Sequence, residues 1–365
     1  MKISIQQNTL SKAIGIVQRG VSSRSTLPIL SGVLLRAIND ELILTGTDLE
    51  LGIETKVKCN VIEEGSIVLT SKLFGEVVRK LPPEEISIEA DMENNVHINC
   101  GNSKFNIVGQ PYEEYPQLPE LDEEKSFHIS KELLRSMIKQ TIFATAQDET
   151  RPILTGALME IEKSEASLIA LDGYRLALKK VKIDYSEDIK VVIPAKTLSE
   201  VSKIVDEDES DVKISTTENH IIFSAGPTVV TSRLLEGQFL NYRDIIRSEY
   251  KTKAVVSTKE LQSSIERASL LAREGKNNLI KLDISDDTVV ITSNSEIGDV
   301  YESIPIKLEG DNIQIAFNSK YILDGIKAIE SEEIELYLTS NVNPCIMKPL
   351  NDESYTYLVL PVRLA

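Results

Sequence analysis

A chain of 365 residues with 41% apolar side chains has material for two to three domains, while 5% aromatics and no Trp exclude extended aromatic stacking platforms. A net charge of -17 excludes a protein that coats nucleic acid or anionic membrane with its whole surface, though not one with a local basic track. Cys59, Cys100 and Cys345 are odd in number and far apart, which points to a reducing compartment without disulfides, metal or other cofactor. The opening Met1-Lys2-Ile3-Ser4-Ile5-Gln6-Gln7 lacks a secretory core and no apolar run approaches the ~20 residues of a membrane span, so a cytoplasmic protein is expected.

In chain order, a 3.6-residue period predicts helices over about 8–20, 71–80, 130–141, 196–205, 258–273 and 319–329. Period-2 alternation marks strands over 32–38, 41–45, 85–89 and 96–100, punctuated by Asn39-Asp40, Pro82-Pro83 and Asn94-Asn95. Ser71 and Ser319 stand where helix N-caps belong. In the helix over 130–141, Lys131, Arg135 and Lys139 recur every four residues and share a face, with Leu134, Met137 and Ile138 turned towards a core. Polar segments at 116–126 and 247–253 read as linkers.

The chain repeats itself at a stride of 124 residues. Thr26-Leu27-Pro28-Ile29-Leu30-Ser31-Gly32 returns as Thr150-Arg151-Pro152-Ile153-Leu154-Thr155-Gly156. Asp48 falls on Asp172, and Lys72 falls on Lys196 and then on Lys320. A fixed period means one structural unit copied. The expectation is an α+β chain of three tandem similar domains, each of antiparallel sheet plus two helices, at 1–121, 127–246 and 254–365. Asp48 and Asp172 are then equivalent turn residues of the Asx type, not a catalytic pair.

Charge is segregated along the chain. The six helical windows hold 15 Lys/Arg against 6 Asp/Glu, a net of +9, so the rest of the chain carries -26. Lys and Arg are good helix formers, but so is Glu, which is abundant elsewhere and scarce in these windows. Helices facing one way would form a positive stripe that attracts phosphate backbones without reading sequence. No phosphate loop, dinucleotide turn, nucleophile elbow or His-Glu-x-x-His helix occurs, and His97, His128 and His220 are isolated. Asp206-Glu207-Asp208-Glu209-Ser210-Asp211 lacks the Gly and the final Glu of a calcium loop and reads as a solvated turn. A non-enzyme is expected.

Several strings together carry a resemblance. Leu27-Pro28-Ile29-Leu30, Leu44-Thr45-Gly46-Thr47-Asp48-Leu49-Glu50, Arg151-Pro152-Ile153-Leu154-Thr155-Gly156, Asp172-Gly173-Tyr174-Arg175-Leu176-Ala177, Phe317-Asn318-Ser319-Lys320-Tyr321-Ile322-Leu323-Asp324 and Leu360-Pro361-Val362-Arg363-Leu364 resemble, in one register over the whole chain, the bacterial beta sliding clamps of DNA polymerase III. The resemblance implies half of a six-domain homodimeric ring that encircles double-stranded DNA, slides on it without sequence preference and acts as a replication processivity factor. It implies DNA contacts at Arg24, Lys72, Arg79, Lys131, Arg135, Lys139, Lys196 and Lys203. A pocket for short peptides of the replicative polymerase, clamp loader and repair polymerases is implied at Leu154, Gly173, Tyr174, Arg175, Leu176, Asn318, Tyr321, Val342, Leu360, Pro361, Val362 and Arg363. Ring closure is expected through Phe105 and Ile107 against Leu270 and Leu271, two neighbours that cannot both point inward.

The chain departs from its relatives at Leu240, where many carry Pro, and at Asp244, where some carry a basic residue. Both positions bear on which partner motifs it prefers. Two rival readings stand beside the clamp. One is a non-DNA scaffold of acidic β-repeats, which would have no use for basic helices; the other is a hydrolase built on a carboxylate pair and a metal.

Overall fold

The computed structural model describes residues 1–22, 27–119, 126–148, 150–205, 211–246, 249–274 and 278–363. Its first stretch runs β1 (Lys2–Gln6), α1 (Gln7–Val17), β2 (Gly32–Ile38), β3 (Glu41–Thr47), β4 (Leu51–Lys58), β5 (Asn60–Glu63), β6 (Gly65–Thr70) and α2 (Ser71–Lys80), then β7 (Glu85–Ala90), β8 (Asn95–Cys100) and β9 (Ser103–Val108). The second runs β10 (Ser126–Ile129), α3 (Lys131–Thr141), β11 (Gly156–Glu162), β12 (Glu165–Leu171), β13 (Arg175–Lys182), β14 (Ile189–Pro194) and α4 (Ala195–Val205), then β15 (Val212–Thr216), β16 (His220–Ala225) and β17 (Thr228–Arg233). The third runs β18 (Thr252–Ser257), α5 (Thr258–Ala272), β19 (Leu279–Ser285), β20 (Thr288–Ser295), β21 (Gly298–Pro305), β22 (Lys307–Gly310), β23 (Ile313–Asn318) and α6 (Ser319–Lys327), then β24 (Glu333–Leu338), β25 (Cys345–Pro349) and β26 (Tyr355–Val359).

The order is the same three times: a strand, a helix, a run of strands, a second helix and three closing strands. Only the short β5 or β22 has no counterpart among the described residues of the middle copy. The repeated Pro-Ile-Leu string is a 3-10 turn in both places, closed by the hydroxyl of Ser31 or Thr155 donating to the carbonyl of Pro28 or Pro152 at 2.7 Å.

The chain packs as two compact units, Met1–Lys131 with Ser199–Leu234, and Glu132–Leu198 with Leu235–Ala365. The first holds a five-stranded sheet (β5-β1-β7-β8-β9) and an eight-stranded sheet (β10-β15-β16-β17-β4-β3-β2-β6). The second holds a nine-stranded sheet (β14-β11-β12-β13-β26-β25-β24-β18-β22) and a four-stranded sheet (β21-β20-β19-β23). All pairings are antiparallel, including β17 on β4 and β13 on β26, so each large sheet draws strands from two successive copies. The middle copy is divided between the units because its hydrogen-bonding edges are continued by its neighbours' strands.

The helices lie on these sheets through aliphatic stripes. In α1, Leu10, Ala13, Ile14 and Val17 are buried at helical spacing. In α3, Leu134, Met137 and Ile138 are buried while Arg135 and Lys139 are exposed, as the periodicity predicts. Each Leu, Ile, Val or Met side chain so removed from water contributes about 1.5–3 kcal/mol. The amides of Gln7 and Gln18 donate to the carbonyls of Val78 and Ser71 at 2.8 and 2.6 Å and tie α1 to α2.

Two local expectations are corrected. Ser71 and Ser319 are not caps; each is already the buried first residue of its helix, because β6 and β23 run straight into α2 and α6. The capping positions are Thr70, without a side-chain bond, and Asn318, whose Oδ1 accepts from the amide of Lys320 at 3.0 Å. Nor are the linkers as long as composition indicates. Ser126 already belongs to β10, and Thr252 and Lys253 belong to β18, where Thr252 pairs with both Gly310 and Leu338. Pairing partners on either side turn a polar segment into strand. Asp206 to Ser210, in the acidic run read as a solvated turn, lie outside the described residues.

Candidate functional site

In the second unit a turn begins the site. Asp172 Oδ1 accepts from the amides of Tyr174 and Arg175 at 2.8 and 3.0 Å, and Gly173 takes a φ of +91° that a side chain would resist. Asp48 in the first unit does the same for Glu50 and Leu51, at 3.1 and 2.8 Å, as their shared place in the repeat requires.

The turn holds Tyr174 out in solvent, 61% exposed, and sends Arg175 inward. There Arg175 donates from Nε to Asp172 at 3.0 Å, from Nη1 to Asp324 at 2.5 Å and from Nη2 to the carbonyl of Phe143 at 2.8 Å. Its guanidinium lies 4.6 Å from the ring centroid of Tyr321. Burial works against its charge, but Tyr357, Asp324 and Asp172 outweigh it and raise the pKa above that of an ordinary Arg. The ring of Tyr321 stacks at 6.1 Å on that of Tyr174. The hydroxyl of Tyr357 donates to the carbonyl of Tyr321 at 2.7 Å, and Gly325 makes room for the Tyr357 ring, which a Cβ there would meet at 2.3 Å.

The end of the chain joins this cluster. The amide of Leu360 donates to the carbonyl of Tyr174, and that of Val362 to Ala316, each at 2.8 Å. Leu360 and Val342 are 37% and 57% exposed, Pro361 and Val362 are half-buried and Arg363 is exposed. Asn318 holds the start of α6, one turn before Tyr321. Leu154 and Leu176, by contrast, are buried in one aliphatic cluster with Ile169, Leu178, Ile346 and Leu358, against which Ile245 and Ile246 pack. They form a floor rather than a surface. The sequence reading missed Phe143, Asp324, Ile245, Ile246, Ile346 and Leu358. Asp324 had a signal, since it lies three residues after Tyr321 on the same side of α6; Phe143 had none.

Arg24 lies outside the described residues. Lys72, Arg79, Arg135, Lys139, Lys196 and Lys203 are exposed on α2, α3 and α4, and Lys131 is half-buried. Part of the helical charge is locally compensated. Lys139 meets Glu330 at 2.8 Å and holds that carboxylate below its usual range, and Lys203 and Arg19 share Glu200 at 2.7 and 3.2 Å. Lys327 meets Glu266 at 3.1 Å, and Arg267 meets Glu302 at 2.8 Å. Of the residues expected at ring closure, Phe105 and Ile107 lie on β9, an edge of the five-stranded sheet, exposed and half-buried. On α5 Leu270 is 63% exposed and Leu271 half-buried, so the pair does not point inward together. No helix among the described residues is long and apolar enough to cross a membrane, and no group of three His, Cys, Asp or Glu there could hold a metal ion.

Three tandem α+β modules with two helices each define the fold class. Three family models match in succession, described as the DNA polymerase III beta subunit N-terminal domain (residues 1–119), central domain (128–241) and C-terminal domain (243–363). The beta sliding clamp of Bacillus subtilis is 40% identical over 376 residues, covering 100% of both chains. That of Staphylococcus aureus is 37% identical, covering 100% of this chain and 99% of its own. The crystal structure of the DNA polymerase sliding clamp from Bacillus subtilis superposes with a TM-score of 0.98 at 39% identity, again over 100% of each chain. The chain belongs to the DNA polymerase III beta subunit family.

Proposed function

We propose that the chain is a DNA polymerase processivity factor: a homodimeric ring that encircles duplex DNA, slides on it and tethers replication and repair proteins through short peptides. The observation that carries this reading is the full-length likeness to sliding clamps, with all three copies and both helices of each present. The copies are assigned to 1–121, 127–246 and 254–365, three for each protomer of a six-domain ring. The chain catalyses nothing itself and works in the cytoplasm beside the DNA being copied. The acidic scaffold has no support from the family match, which accounts for the basic helices that a scaffold would not need.

Duplex DNA would meet Arg24, Lys72, Arg79, Lys131, Arg135, Lys139, Lys196 and Lys203 through phosphates only, so sliding costs no base contact. Protomers would join through Phe105 and Ile107 of one and Leu270 and Leu271 of the other. Among the described residues β9, which carries Phe105 and Ile107, and β21, against which α5 packs, are each a terminal strand of their sheet, and such edges invite a further strand, which favours this reading. Partner peptides would lie over Tyr174, Gly173, Tyr321, Asn318, Val342 and Leu360 to Arg363, held near the fixed Arg175 above the floor of Leu154 and Leu176.

Retention on DNA is the test. After loading, the protein should stay on closed circular DNA and run off when the circle is cut, and its mass in solution should be twice 40.6 kDa. Equal retention on both forms, or a monomer, sinks the ring. Replacing Leu270 and Leu271 by Ala should yield folded monomers. Removing Val362 to Ala365 should abolish binding of polymerase-derived peptides while leaving the dimer intact.

A further inference from the structure

The second helix of each copy carries the same stripe of charge. Lys72, Glu76 and Arg79 on α2 recur at the stride of 124 as Lys196, Glu200 and Lys203 on α4 and as Lys320, Asp324 and Lys327 on α6. The spacing is i, i+4 and i+7, so in every copy a carboxylate sits between two exposed cations on one helix face. Glu200 accepts from Lys203 at 2.7 Å and from Arg19 at 3.2 Å. On α6 Asp324 is drawn to Arg175 at 2.5 Å, and Glu266 of α5 meets Lys327 at 3.1 Å in its stead. Lys139 on α3 is met at 2.8 Å by Glu330, which lies beyond the end of α6.

Helix stability does not call for these acids. A Lys placed four residues before a Glu is the weaker order of such a pair, and Glu266 and Glu330 belong to other segments than the cations they meet. Where a helix's own carboxylate is diverted, another takes its place. We propose that Glu76, Glu200, Glu266 and Glu330 compete with DNA phosphates for the helix cations and so keep the hold on the duplex loose. The inference rests on the duplex-binding reading above and deepens it. A cation that leaves a carboxylate for a phosphate exchanges one oxyanion for another, so each contact gains little, and the carboxylate left behind repels the strand. As the duplex advances, a cation that loses its phosphate returns to a neighbouring carboxylate rather than to water alone. The state between one phosphate and the next is thereby stabilised, which lowers the barrier to sliding.

The test titrates full-length protein into a fluorescein-labelled duplex at low salt and follows anisotropy. Glu76→Gln, Glu200→Gln and Glu330→Gln should each tighten binding about 1.5-fold to fivefold, and combined about tenfold or more, gains that shrink as salt rises. Glu165→Gln makes the same change of net charge beside a lysine on a strand, Lys180 at 2.8 Å, and should leave affinity unchanged. Glu330→Gln should also lose its effect in a Lys139→Met background, where no cation is left to release. Unchanged affinity in the combined variant, an equal gain from Glu165→Gln, or a gain from Glu330→Gln that survives the loss of Lys139 each overturns this inference and leaves the duplex reading standing. Failure of the unaltered protein to bind duplex overturns the duplex reading and this inference with it.

Discussion

Residues 124 apart occupy matching strands of the two large sheets, and their side chains differ in kind. Thr45, Thr47, Gly52 and Glu54 in the first unit correspond to Ile169, Leu171, Leu176 and Leu178 in the second. In the first unit Thr45 Oγ1 donates to Glu54 at 3.3 Å, and a cavity of ≈510 Å³ there is lined by Arg36, Glu54, Lys56 and Thr231 alongside Leu34, Leu118 and Val229. In the second the same positions join one aliphatic cluster. The segments crossing these faces differ too. Tyr115 is tied to the carbonyls of Gly32 and Thr45 at 3.2 and 3.1 Å, Tyr242 to the buried carboxylate of Glu160 at 2.7 Å. Among the described residues one backbone plan thus carries a mixed face and an apolar one, and the apolar one lies beneath the proposed peptide site.

The largest effect is expected at Arg175. Arg175→Ala leaves Asp172 and Asp324 without their shared cation, and thermal melts should reveal a loss of about 3 kcal/mol or more. Its counterpart Leu51 is an ordinary core residue, so Leu51→Ala should destabilise without touching peptide affinity. A melting temperature unchanged in Arg175→Ala would remove the idea that the cation organises the site. Next, Leu358→Thr makes the apolar face resemble the polar one at its centre. It should cost about 2 kcal/mol of stability and weaken peptide binding as the floor loses area and gains a hydroxyl.

Glu160→Gln probes the fastening of the 242–246 segment. Burial opposes ionisation of Glu160, but hydrogen bonds from Tyr242 and Lys190 and the charge of Arg243 hold its pKa below 4.5. A depressed carboxylate stabilises the fold above its unfolded pKa, and that contribution is lost as pH falls through the folded value. The second unit should therefore loosen in acid below about pH 4.5, and Glu160→Gln should lose about 1–2 kcal/mol at neutral pH and flatten that dependence. The first unit's Tyr115, pushed up to about 12 by burial, should not respond there. Hydrogen exchange that loosens around both segments together at acid pH would break the comparison. The smallest change is a gain: Thr231 Oγ1 is buried without a hydrogen-bond partner among the described residues, and Thr231→Val should stabilise by about 0.5–1 kcal/mol in denaturant titrations.

Much of this was legible beforehand. All six helices were placed within about three residues, because buried aliphatics at i, i+3 and i+4 leave a periodic trace whatever surrounds them. The Asx turns at Asp48 and Asp172 were legible because a carboxylate and the amides two and three residues on need no distant partner. Ser71 and Ser319 misled, since whether a Ser caps a helix or begins it depends on how the preceding strand arrives. The segment at 247–253 misled because strand formation at Thr252 is imposed by β22 and β24, far away in sequence.

The sequence by itself determined the three copies, the element order and the local turns, all of which rest on interactions within a few residues or on direct repetition. Tertiary structure alone decided that the large sheets join successive copies, that Leu154 and Leu176 lie beneath the surface, and that Arg175 is held by Asp324 and Phe143. It also decided that Lys139 and Lys203 already have carboxylate partners. Such contacts span from a few residues to nearly two hundred, and composition records which charges and apolar groups a chain owns but not which of them folding brings within reach.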